Sequence, residues 1–331
     1  MMARFIVRRL FFMIILLFVV SITTFFLFSV LPVDPASLSC GQHCTPEKIE
    51  ANRIRLGYDQ PILTQYFTYM KGIFFGRTYG EGAQAFSCPA PSLGYSFYRG
   101  QCVTSMIANA LPATISLTIG AAVIWLLMGI GLGVISAMRK GKALDRISTG
   151  FAIFGLSMPT FFVGLLLIYI FIIWLPVFPF PSYVSVFEDP VSWSQTMFLP
   201  WLTVAIVSAA LYTRLTRDGM LETMSEDYVR LAISKGLSRK KVLFKYVLRG
   251  AITPIVTIAG LDIAVLLGGA IITESVFGLP GMGRLAFNSV SDSDLPVIAG
   301  ITLITAFIVV VANAIVDILY AVLDPRVRLE A

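Results

Sequence analysis

Cysteine and histidine are the side chains that most often hold soft metals or form disulfides, and this chain confines them to one place. Cys40, Cys44, Cys88, Cys102 and the single histidine, His43, all fall between Leu31 and Leu111. A metal site is not expected, because Cys40 and Cys44 have the spacing Cys-x3-Cys rather than Cys-x2-Cys and no second histidine exists. The four thiols read instead as disulfide candidates, with three connectivities open to them.

Carboxylates are the second group of interest. Asp262, Glu274 and Asp317 stand inside long apolar runs. A carboxylate at the centre of a bilayer costs about 2.5 to 3.5 kcal/mol on insertion scales, so each needs a cavity or a partner. Asp262 lies about 16 Å along its run at 1.5 Å per residue, near the midplane. Two readings stay open for it, a group lining a translocation path or a hydrogen bond that pins two helices. Glu274, nearer the outer end, is a second path candidate, although a structural role fits it and Asp317 better.

Other chemistry is missing. A phosphate-binding loop needs Gly-x4-Gly-Lys-Ser/Thr, whose backbone N–H groups cradle phosphates. Around Gly141 and Lys142, Ser136 replaces the first glycine and Ala143 replaces the hydroxyl. No Gly-x-Ser-x-Gly elbow appears either, so no catalytic constellation and no cofactor bound by this chain are expected.

The elements that must position these residues follow from composition. Hydrophobic residues make up 57% and charged residues 13% of the chain, too few charges to cover a water-facing surface. A spanning helix needs about 20 apolar residues to cross about 30 Å of hydrocarbon. Six runs qualify: Leu10 to Val30, Pro112 to Met138, Ile147 to Val177, Met197 to Thr213, Ala251 to Phe277 and Pro296 to Leu323. The reading is an all-α integral membrane protein with six transmembrane helices in the lipid bilayer. The first run is longer than the apolar stretch of a signal peptide and no small-x-small site follows, so it is expected to stay. The fourth is the weakest, being short and carrying Pro200; Trp193 and Trp201 would anchor its outer end. Pro159 is expected to kink the third.

Basic residues set the orientation. Eighteen of the 25 fall in the N-terminal tail, in 139–146, in 214–249 and after the last run. Among short segments the contrast puts both termini on the cytoplasmic side. Because the cations punctuate apolar runs, nucleic acid is not an expected partner. The chain then divides into 1–31, a tail and first helix; 32–111, a small extracytoplasmic region; and 112–331, a five-helix core with a cytoplasmic segment at 214–250. In the outer region Thr45 and Pro46 start a helix that Gly57 ends, and a second helix runs from Pro61 to Phe75. Small residues four apart, Gly129 with Gly133 and Gly260 with Ala264 and Gly268, suit close helix packing within one subunit or across an interface.

The cytoplasmic segment carries nine basic residues and reads as short helices. Ser225 would cap a helix beginning at Glu226 and Asp227, with Gly236 closing it. The stretch Asp227-Tyr228-Val229-Arg230-Leu231-Ala232-Ile233-Ser234-Lys235-Gly236 resembles the coupling motif of ABC importer permeases, in the form carried by the oligopeptide and dipeptide branch. Ala232 and Gly236 match the general motif, while Arg230 and Leu231 stand where it has Glu and Ala. Leu56 to Pro61, Ser157-Met158-Pro159, Gly268-Gly269-Ala270 with Thr273-Glu274, and Leu323 to Arg326 resemble the same family. The stretch Arg77 to Pro91 looks like an insertion.

This resemblance implies a type I ABC importer permease fold and a peptide substrate. Its implied partners are a second homologous permease, two ATP-binding subunits that hold ATP and Mg, and an extracytoplasmic solute-binding protein. Asp227, Tyr228, Arg230, Leu231, Ala232, Lys235 and Gly236 would then meet the ATPase. Nickel or another metal chelate is the alternative cargo. An ion-driven secondary transporter would leave the coupling segment unexplained.

Overall fold

A computed structural model describes residues 2–30, 45–80 and 85–323. Cys40, His43, Cys44 and the Asp324 to Arg326 motif therefore lie outside the described residues. Thirteen helices are named in chain order: α1 (Met2–Val30), α2 (Pro46–Leu56), α3 (Ile62–Phe75), α4 (Val103–Met138), α5 (Ala143–Ser157), α6 (Thr160–Ile168), α7 (Pro190–Met224), α8 (Asp227–Ser234), α9 (Arg239–Val242), α10 (Leu248–Leu267), α11 (Ile271–Val276), α12 (Met282–Ser291) and α13 (Leu295–Leu323). Among the described residues five helical stretches are long and apolar enough to span a membrane, and the bent pair Ala143–Ser157 with Thr160–Trp174 makes a sixth when counted as one span.

Two apolar runs are not single helices. The third is broken by 103° between Ser157 and Thr160. Met158 and Pro159 are extended there, as a residue before proline prefers and as proline's missing N–H allows. So Pro159 starts a new helix rather than kinking an old one. The fifth begins earlier than expected, passing from α9 through the π-helical turn Leu243–Val247 into α10, and it stops at Leu267. Gly268 to Ala270 turns the chain, and α11 is a separate short helix. Gly269 has φ +125°, and a Cβ there would sit 2.5 Å from the backbone nitrogen of Gly283, so only glycine fits.

Of the five spans the fourth run is the least apolar, and it is also the best buried. Asp189 caps α7 by accepting the N–H groups of Val191 and Ser192, and Pro190 takes the first helical position. Around it lies the main core, with Leu117, Ala121, Trp125, Ala205, Ala209, Tyr212 and Phe277. Trp193 and Trp201 do not stand as free anchors; their ring N–H groups reach the hydroxyl and carbonyl of Ser116 at 3.3 and 2.8 Å. The spaced glycines pack within the chain: Gly129 against Tyr212, Gly133 against Thr216, Gly260 against Val316 and Gly268 against Thr305. Lipid gives no hydrophobic drive for helix pairing, so such close backbone approach supplies it.

The outer region forms as expected in its helices, with Gly57 and Gly76 at positive φ after α2 and α3. It also contains two unforeseen antiparallel ladders, β1 (Arg77–Tyr79) with β2 (Phe86–Cys88) and β3 (Tyr95–Ser96) with β4 (Gln101–Cys102). A disulfide between Cys88 and Cys102 joins β2 to β4 at the start of α4.

Candidate functional site

Three places hold the polar chemistry, one at each end of the bundle and one at its middle. At the end carrying α8, called the inner end, Asp227, Tyr228, Arg230, Leu231 and Lys235 are all exposed. Val229 and Ala232 point the other way, 2% and 5% exposed, into a cluster with Ala137, Met220, Val242, Val247 and Ala251. That cluster joins the inner ends of α4, α7 and α10. Ala232 therefore seats the helix on its own bundle, whereas Leu231, 55% exposed, is an apolar knob on the outward face. Arg230 pairs with Asp227 one turn back at 3.7 Å.

The ends of α8 follow from backbone chemistry. Ser225 does not cap it; its hydroxyl donates to the carbonyl of Glu222 and closes α7 instead. At the other end the N–H of Leu237 reaches the carbonyl of Ala232, and that of Gly236 reaches Ile233, a Schellman closure. Gly236 supplies the positive φ of 75° this requires, and a Cβ there would meet open space.

Beside it stands an ion pair that sequence reasoning missed. Asp145, in the first turn of α5, accepts Nε and Nη2 of Arg217 at 2.7 and 3.2 Å, the hydroxyl of Ser136 at 2.5 Å and the N–H of Gly141 at 2.7 Å. A two-pronged guanidinium contact of this kind fixes geometry as well as charge. The signal was hidden because both residues sit in charged segments that read as solvated.

At the middle, the hydroxyl of Tyr212 on α7 donates to Oδ2 of Asp262 on α10 at 2.7 Å. Tyr212 is fully buried, its ring 6.2 Å from that of Trp125 on α4. Asp262 itself is half-buried. The pairing brings α4, α7 and α10 together around one carboxylate.

At the outer end Glu274 is 0% exposed. Its carboxylate accepts the hydroxyl of Thr114 at 2.8 Å and the backbone N–H of Arg284 at 2.9 Å, and Thr114 in turn accepts the N–H of Met282. The anion thus sits at the N-terminus of α12, where unpaired N–H groups favour negative charge. It ties α4, α11 and α12 together and presents no surface to a passing solute. Nearby, the Ser96 hydroxyl donates to Asp294, and Arg99 pairs with Asp292 at 2.8 Å. Burial raises the pKa of Asp294 above the ordinary aspartate value, against the opposing pull of the Ser96 hydrogen bond. Among the described residues no cluster of His, Cys, Asp and Glu is suited to a metal.

Comparison with known proteins agrees with this architecture. Residues 129–329 match the family described as binding-protein-dependent transport system inner membrane component, and residues 2–118 match its N-terminal companion family. A protein of Brucella melitensis, named provisionally as a peptide transport system permease, is 36% identical over 328 residues, covering 99% of both chains. The glutathione transport system permease protein of Escherichia coli is 36% identical over 330 residues, again covering 99% of both. An inward-facing methionine ABC transporter structure superposes with a TM-score of 0.51 at 14% identity, over 67% of this chain and 97% of that one, which speaks for the fold alone. The match spans nearly the whole sequence and both family segments: this chain belongs to the inner membrane permease components of binding-protein-dependent ABC importers.

Proposed function

We propose that the chain forms half of the translocation path of an ATP-driven importer of peptides, with α8 as its coupling helix. Its partners in this reading are a second related permease, two ATPase subunits carrying ATP and Mg, and an extracytoplasmic binding protein that delivers the substrate. Both termini and α8 lie in the cytoplasm. The observation that carries the reading is the two-sidedness of α8: Val229 and Ala232 seat it on three spans, while Leu231 and the cations face away. Force applied to the outward face passes to α4, α7 and α10 together, the same three elements that meet around Asp262. The names of the two relatives above support a peptide cargo.

Single cysteines test the coupling. A cysteine at Leu231 or Ser234 is expected to cross-link to the ATPase groove in a nucleotide-dependent way, while one at Ala232 does not. Equal cross-linking from Ala232 would mean that α8 docks by the other face. For Asp262 the proposed role is to line the path with Oδ1 while Tyr212 holds Oδ2. The Asp262→Asn variant keeps an acceptor for Tyr212, so assembly should persist while transport per assembled complex falls several-fold. Lost assembly with unchanged transport per complex would make the residue a pin and nothing more.

A further inference from the structure

We infer that Asp262 recognises a positive charge on the cargo, its Oδ1 receiving the α-ammonium group of each peptide that passes. This rests on the peptide path proposed above and adds which end of the substrate that path holds.

The charge of Asp262 is left uncancelled by its own chain. Among the described residues its hydrogen bond comes from the neutral hydroxyl of Tyr212, which fixes Oδ2 and removes no charge, and no ion pair reaches it. The two cations of α7 are engaged elsewhere, Arg214 with Asp218 at 3.7 Å and Arg217 with Asp145 at 2.7 Å. Arg249, more than three turns back on α10, lies about 20 Å away along the axis. α4, the third helix at this place, carries no basic residue. Glu274 and Asp145 show the contrast, one sealed among donors and the other held by a two-pronged guanidinium.

One side of Asp262 is open. It is half-buried, and beside it on α10 Leu261 and Val265 are exposed. Apolar neighbours surround the anion with low-dielectric surface, which concentrates its field on whatever enters. An unpaired charge between the ends of a membrane bundle is costly, and a passing cation relieves that cost only while it is bound. A peptide brings two charged ends. Asp262 repels the carboxylate and attracts the ammonium, whose three donors suit an oxygen that receives none from the chain. Tyr212 is fully buried, so its grip on Oδ2 presents Oδ1 in a set direction.

The test reconstitutes the assembled importer with its binding protein and ATP in proteoliposomes. Initial uptake is measured for trialanine, N-acetyl-trialanine and trialanine amide, each at a concentration that saturates the binding protein. Dividing each variant's rate by the wild-type rate for the same peptide removes the binding protein's own preference. Asp262→Asn and Asp262→Gln should slow trialanine and its amide about tenfold more than the acetylated peptide, the signature of a double-mutant cycle between carboxylate and ammonium. Asp262→Glu restores the charge and should bring the three ratios back together. Equal slowing of all three peptides, or no slowing, would overturn the ammonium assignment and leave the peptide path in place. So would failure of both neutral variants to assemble, since the carboxylate would then serve the fold. Absence of uptake of any of the three by the wild-type importer would instead sink the peptide reading, and this assignment with it.

Discussion

The outer and inner ends of this bundle are held in opposite ways. At the outer end a disulfide, a buried carboxylate and short polar bonds fix α4, α11, α12 and the β ladders to one another. At the inner end α8 rests on Val229 and Ala232 and is closed by Leu237 over Ala232, with Arg230 and Leu231 turned outward. In the coupling reading proposed above, a bundle clamped at one end and seated by a few apolar contacts at the other would act as a lever that pivots at the clamped end. Mutations should therefore divide by end, structure failing outside and coupling failing inside.

The largest expected loss of stability is at Glu274. Replacing it with Ala orphans the Thr114 hydroxyl and the Arg284 N–H in a dry site, about 4 kcal/mol when each unsatisfied group costs about 2. Yield of assembled complex and its thermal midpoint measure this; a wild-type midpoint would dissolve the clamp. Next comes the disulfide. Replacing Cys88 and Cys102 with Ser, leaving Cys40 and Cys44 in place, releases a 14-residue loop, worth about 3 kcal/mol. Limited proteolysis of the region between β1 and β4 should accelerate while α8 is cut no faster. Smallest in stability is Leu231→Asp, within about 0.5 kcal/mol of wild type because the side chain is exposed. Its effect appears elsewhere: ATPase stimulation by loaded binding protein should fall at least tenfold. Full stimulation in that variant would erase the contrast between the two ends.

Much of this division was legible in the sequence, and the exceptions have a common cause. Gly57, Gly76 and Gly236 announced their helix ends because a positive φ leaves a residue-type signature. Pro159 stood out as a kink but not as a full break, since Pro112, Pro200 and Pro254 sit inside intact helices. An apolar run has the same composition whether it crosses straight or turns back, so the fifth run hid the turn at Gly268 to Ala270. The anchoring of Glu274 was equally hidden, because Thr114 lies 160 residues away in sequence. The direction of α8 was half-visible: the Val229 and Ala232 stripe was clear, but the family resemblance drew Ala232 toward the partner. The cluster beneath shows that stripe facing home.

The burial of α7 has a consequence for how the chain is made. Its best window has a mean hydropathy of 1.5, against 2.8 for α1, and 67% of it is covered by neighbouring helices. A nascent segment this weakly apolar gains little by partitioning into lipid alone, where its threonines would find few partners. α4 and α5 precede it in translation and already offer the glycine seats for Trp201, Tyr212 and Thr216 and the carboxylate of Asp145 for Arg217. Membrane integration of α7 is then a docking event, in which earlier helices wait beside the translocation channel and receive the later one as a partner.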